Sequence, residues 1–195
     1  MKRNIALQYP HGTLHGQLDL PAAPRALILV ARAHHAAVDT VIAANLAARG
    51  YAILAMELLS AQEVQFADAT QNVPRLAQRL IDVLDLIRND GDMQDLPLAL
   101  FANGDLTPAA IRAAAQRDKQ VRALACHGGL IDRAGIQALK LLVAPLQMLF
   151  DADDETGRQA YLRARTHLSG IHEMQVLTPG EDPAAHVAAW FSLRL

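Results

Sequence analysis

Leu96-Pro97-Leu98-Ala99-Leu100-Phe101-Ala102-Asn103-Gly104-Asp105-Leu106-Thr107-Pro108 is the stretch on which the reading of the fold turns. Its first six residues carry no polar side chain, the habit of a strand buried on both faces of a parallel sheet. At its other end, Thr107 stands as a helix N-cap with Pro108 at the first helical position, opening a helix to about residue 117. A buried strand that feeds a helix through a short turn is half of a parallel β-α-β unit.

The same unit recurs on either side. Residues 26–31 (ALILVA) and 51–56 (YAILAM) read as buried strands, with a helix between them capped by Asp39 and closed by Gly50. Residues 60–70 are polar and read as helix or loop, and 74–88 form a helix with Leu76, Leu80, Leu84 and Ile87 on one face. Strands follow at 121–126, 146–150 and 173–177, with helices at 132–139, 155–168 and from Asp182-Pro183 onward. Before all of these, 4–9 and 13–20 alternate around Pro10-His11-Gly12 and read as an antiparallel hairpin. The expectation is one α/β domain over 1–195, with helices on both faces of a mostly parallel sheet. In such a sheet the positions to inspect follow the carboxyl ends of the strands.

Composition narrows the function. Apolar residues make up 52% of the 195 and charged residues 19%, which excludes intrinsic disorder. The net charge of −2 offers no polybasic face, so neither nucleic acid nor an anionic membrane is expected as a partner. The single cysteine, Cys126, excludes a disulfide framework and a cysteine-based zinc site. Met1-Lys2-Arg3 leads into only three apolar residues, too few for a signal sequence, and a cytoplasmic location is expected. The serines number three: Ser60, Ser169 and Ser192.

Four segments together resemble the α/β hydrolases, specifically the dienelactone-hydrolase-like group of small esterases. They are Gly50 to Leu59, with an acid and "LL" after the strand; Leu96 to Phe101; Ala144-Pro145 through Asp154; and Trp190-Phe191 in the closing helix. The resemblance implies a three-layer α/β-hydrolase-like sandwich with a twisted sheet of about eight strands. It also implies a Gly-x-Ser-x-Gly turn after the strand that ends at Phe101, presenting the nucleophile above the sheet. Here that turn reads Ala102-Asn103-Gly104-Asp105-Leu106, with Gly104 in the place of the serine. The histidine that the family carries in Pro-Gly-x-x-His falls on Pro183, since the chain reads Pro179-Gly180-Glu181-Asp182-Pro183. His186 follows, but the period places it one turn inside the last helix. Only the acid is kept, as Asp154, and an acid without its imidazole has no triad role.

Several residues offer replacement chemistry. Asp105 stands one residue beyond the serine position, and a carboxylate can form a covalent ester intermediate. Its structural reading, a carboxylate at a helix start, is preferred because no base stands in its expected place. His127, after the fourth parallel strand, is a candidate base or anion-binding group facing the cleft. Its neighbour Cys126 reads as a buried small hydrophobe on the opposite face. Arg32, His34 and His35 replace the family's oxyanion stretch and suggest a pocket for an anionic or ester-like ligand, with Glu57 paired to Arg32 or to a backbone amide. The pair His34-His35 with Asp39 has no metal-ligand spacing, and neither metal nor cofactor is expected. Two functions follow: a binding protein on a hydrolase scaffold that has lost catalysis, or a hydrolase with a site rebuilt on Asp105 and a nearby histidine. A homodimer with a structural role is a third.

Overall fold

The chain after the hairpin zigzags across one eight-stranded sheet. The computed structural model describes residues 1–34 and 36–195. Strands β1 (Lys2–Tyr9) and β2 (Gly12–Asp19) pair antiparallel, and β2 pairs antiparallel with β4 (Ala52–Glu57). The others, β3 (Leu27–Arg32), β5 (Leu98–Asn103), β6 (Val121–His127), β7 (Leu146–Asp151) and β8 (His172–Leu177), run parallel to β4 in the order β1-β2-β4-β3-β5-β6-β7-β8.

Each face of the sheet carries helices because its strands are apolar on both sides. One layer holds α2 (Val73–Arg88), α3 (Thr107–Gln116), α4 (Ile136–Leu141) and α5 (Glu155–Ala164), which bury Leu76, Ile111, Leu139 and Ala160. The other layer holds α1 (Ala37–Ala48) and α6 (Pro183–Ser192), which bury Ile42, Leu46, Val187 and Phe191. This is the α/β-hydrolase-like three-layer sandwich, with its antiparallel N-terminal hairpin, that the sequence implied. No helix among the described residues is long and apolar enough to cross a membrane.

Strand order reverses at β3. The chain leaves β3 for β4 on one side and returns to β5 on the other, so the loops after β3 and β5 part and leave a crevice.

Local details depart from the sequence expectations, each for a physical reason. Helix α1 begins two residues before Asp39, with Ala36 at the cap and no side-chain cap bond. Asp39 lies instead in the first turn, on the inward face with Ile42 and Leu46. Thr107 is the first helical residue rather than the cap, and its hydroxyl donates to the Gly128 carbonyl at 2.9 Å. The helix expected over 132–139 is broken at Gly135 into a 3₁₀ turn (Ile131–Ala134) and α4. The one expected over 155–168 ends at Ala164 and tightens into a 3₁₀ turn (Arg165–His167). Asp182 does cap α6, accepting from the Ala184 amide at 2.9 Å.

Candidate functional site

Five parallel strands run one or two residues past their apolar stretch, and the residues they add are polar: Glu57, Arg32, Asn103, His127 and Asp151. Side chains alternate along a strand. Val30, Phe101, Ala125 and Leu149, two positions back, all pack in the α1–α6 layer, so the polar residues point to that side as well. Register aligns Arg32 with Glu57 and Asn103 with His127. A polar row therefore crosses the carboxyl end of the sheet, and Asp39 of α1 drops into its middle.

Within the row, Arg32 Nε lies 3.5 Å from Glu57 Oε1, and its other end donates to Thr40 Oγ1 at 3.2 Å. The pairing of Glu57 with Arg32 is the one expected; the guanidinium turns to Glu57 and Thr40. His127 Nε2 lies 3.0 Å from Asp151 Oδ1. Asp39 is 2% exposed, and burial pushes its carboxyl up to about 6. The Arg32 guanidinium, a side-chain hydrogen bond with Asn103 and the neighbouring His127 oppose that rise, and the Glu57 charge adds to it. Among the described residues no partner meets Asp39 Oδ1 or the buried His127 Nδ1.

The turn after β5 keeps the shape of an elbow without its side chain. Gly104 has φ +55°, a conformation that L residues rarely adopt, and a Cβ built there would meet nothing within 4 Å. Gly129 braces it from below. A Cβ on Gly129, itself at φ +95°, would lie 2.2 Å from the Gly104 carbonyl oxygen, so only glycine lets the two backbones pack this closely. Asp105 is exposed, and its Oδ2 accepts from the Thr70 hydroxyl at 2.6 Å.

Between the ends of β3 and β5 lies a cavity of about 150 Å³. Its polar walls are His34, Asp39, Thr70, Asn103 and Asp105, with Gly104 between them. His34 and Asp105 thus line one cavity with Asp39, Thr70 and Asn103, and the side chain that reaches Asp105 is the Thr70 hydroxyl. His34 has φ +62°, in the left-handed region that non-glycine residues rarely adopt. His35 lies outside the described residues.

The other candidates have separate partners. His127 pairs with Asp151. Asp154, the acid that the resemblance retains, caps α5, with Oδ1 accepting from the Gly157 amide at 2.8 Å. His186 sits inside α6 as expected, 2.5 Å from Glu181 Oε1. Cys126 packs in the opposite layer from His127, and burial pushes its thiol up to about 12, leaving it unreactive. The serines have structural places: Ser60 is 3% exposed and accepts from the Glu63 amide, Ser169 donates to the Lys140 carbonyl and Ser192 to the Ala189 carbonyl. Among the described residues no group of three or more His, Cys, Asp or Glu is arranged to hold a metal ion.

Sequence reasoning gave Asp39 to the helix cap and assigned no site role to Asn103 or Thr70. Asp39 carried a signal, because it precedes Ile42 and Leu46 by three and seven residues and so lies on the apolar face of its helix. Asn103 carried one too, two residues after the buried Phe101. Nothing in the sequence pointed to Thr70.

The structure is similar to the dienelactone hydrolase from Anabaena variabilis, with a TM-score of 0.89 over 100% of this chain and 98% of that one, at 22% identity. It is also similar to Est1E from Butyrivibrio proteoclasticus (TM-score 0.79, 9% identity, 98% of each chain) and to a cold-adapted esterase from an Arctic intertidal metagenomic library (TM-score 0.75, 16% identity, 100% and 94%). These likenesses establish the α/β-hydrolase fold. No protein-family model matches the sequence. Two Mycobacterium tuberculosis proteins, each named "Putative phosphoribosyl transferase", are 30% identical over 169 residues, 85% of this chain. The chain spans only 38% of the length of those relatives.

Proposed function

We propose that the chain is a non-hydrolytic binding protein built on a dienelactone-hydrolase-like scaffold, with the cavity at the ends of β3 and β5 as its ligand site. One observation carries this reading. The strained elbow survives at Gly104, bare and open, so the place of the nucleophile holds no atom that can attack a carbonyl. The separate pairing of His127 with Asp151 and the capping role of Asp154 support it, since neither delivers a base or an orienting acid to the elbow. The phosphoribosyl-transferase name of the mycobacterial proteins gives no activity to this chain, which spans only 38% of their length.

A fluorophosphonate probe tests the reading directly. The protein is expected to remain unlabelled, and p-nitrophenyl acetate turnover is expected to match a heat-inactivated control. Turnover that disappears in Asp105→Asn would replace this reading with the rebuilt hydrolase. That second reading rests on the shared cavity of Asp105 and His34.

A further inference from the structure

We infer that the cavity between the ends of β3 and β5 takes a small cationic, hydrogen-bond-donating group, a primary ammonium being the simplest, held between Asp39 and Asp105. The inference rests on the reading of this cavity as a ligand site, and it names the chemical class of the ligand.

The hydrogen-bond inventory of the walls decides the class. Asp39 Oδ1 is buried, borders the cavity and has no partner among the described residues. A buried polar atom left unpaired costs free energy, so the native state favours something that supplies a donor there. Asp105 contributes a second carboxylate, and carboxylates accept only. The single proton of the Thr70 hydroxyl is already directed at Asp105 Oδ2. The Asn103 amide on the same wall hydrogen-bonds the Asp39 side chain, yet Asp39 Oδ1 stays unmet, so the acceptor capacity left beside the two acids favours an occupant that donates.

Charge selects among donors. Two carboxylates face the cavity, and the nearest guanidinium, Arg32, is turned to Glu57 and Thr40. His34, exposed, stands on the same wall. An anionic ligand would meet like charge here, whereas an ammonium makes charge-assisted bonds to both acids. Size agrees. The cavity of about 150 Å³ compares with roughly 30 Å³ per water molecule in the liquid, room for a group of a few heavy atoms. The missing side chain at Gly104 leaves space beside the two acids.

Titration of the ¹⁵N-labelled full chain, followed at the Gly104 amide, tests the inference with methylammonium chloride, sodium acetate and methanol at matched ionic strength. Methylammonium is expected to saturate the shift at a concentration about tenfold lower than either of the others, with Asp39→Asn and Asp105→Asn each weakening it by a similar factor. Asp105 is exposed, so its variant provides the test even if Asp39→Asn does not fold. Acetate or methanol acting as strongly as methylammonium, no response to any of the three, or an undiminished response in the variants would overturn the inference. Ester turnover measured on the same samples keeps the two readings apart. Turnover lost in Asp105→Asn would sink the non-hydrolytic reading, whereas a silent titration without turnover would sink only the ligand class.

Discussion

Asp39 shows how much one buried acid does in this molecule. It lies among Arg32, Glu57, Asn103 and His127, and burial lifts its carboxyl from the ordinary 3.8 to about 6. Between these values the folded chain holds a proton that the unfolded chain has released. The Asp39 contribution to stability therefore falls as pH rises from about 4 to about 6 and then levels off. A rise of roughly two pH units corresponds to at most about 3 kcal/mol. Asp39→Asn removes the proton equilibrium and keeps the shape. Urea unfolding is expected to show the variant level with the wild type at pH 4 and more stable at pH 8. A difference between variant and wild type that does not grow across this window would contradict the assignment.

At the scale of elements, the elbow after β5 is held by the turn after β6. Two backbones touch there because Gly129 has no side chain, and the Thr107 hydroxyl ties the start of α3 to the Gly128 carbonyl. Gly129→Ala adds a Cβ in a left-handed conformation against a carbonyl oxygen that cannot give way. Strain and overpacking together are expected to cost about 3 kcal/mol or more, read as a lowered thermal midpoint. Gly180, also at positive φ but with nothing within 4 Å of an added Cβ, provides the control for the clash.

How far the sequence could be read is also clearest at this scale. Every parallel strand was visible, because a doubly buried strand must be apolar, and their order with the helices leaves few topologies. Strand ends were not. The reading stopped at Ala31, Met56, Phe101, Cys126 and Phe150, where hydrophobicity stops, while the hydrogen-bonded ladder runs on through Arg32, Glu57, Asn103, His127 and Asp151. Those residues make up most of the polar row. The glycine at 104, after the strand that ends the buried run, was legible from its place in the turn. The partnership of His127 with Asp151 was not, because it depends on how two adjacent strands are staggered.

At the scale of the whole molecule, one sheet separates two apolar layers, and neither layer is closed without it. Unfolding is therefore expected to be a single transition. Trp190, 3% exposed, reports from the α6 side, and far-UV circular dichroism is dominated by the four helices on the other side. Fluorescence and circular dichroism are expected to give one midpoint, and separated midpoints would show two cooperative units. The same sheet accounts for the similarity to esterases at 9 to 22% identity, because buried strands in this order tolerate many apolar sequences.

The open space above Gly104 also makes the protein a convenient carrier for chemical tags. Its single thiol, Cys126, is sealed in the core and held protonated. A cysteine introduced at 104 would be an accessible thiol at the mouth of the cavity, clear of its neighbours, at the cost of a left-handed backbone conformation. A maleimide dye or a spin label attached there would sit beside Asp105 and His34, turning the bare turn into a sensor for whatever enters.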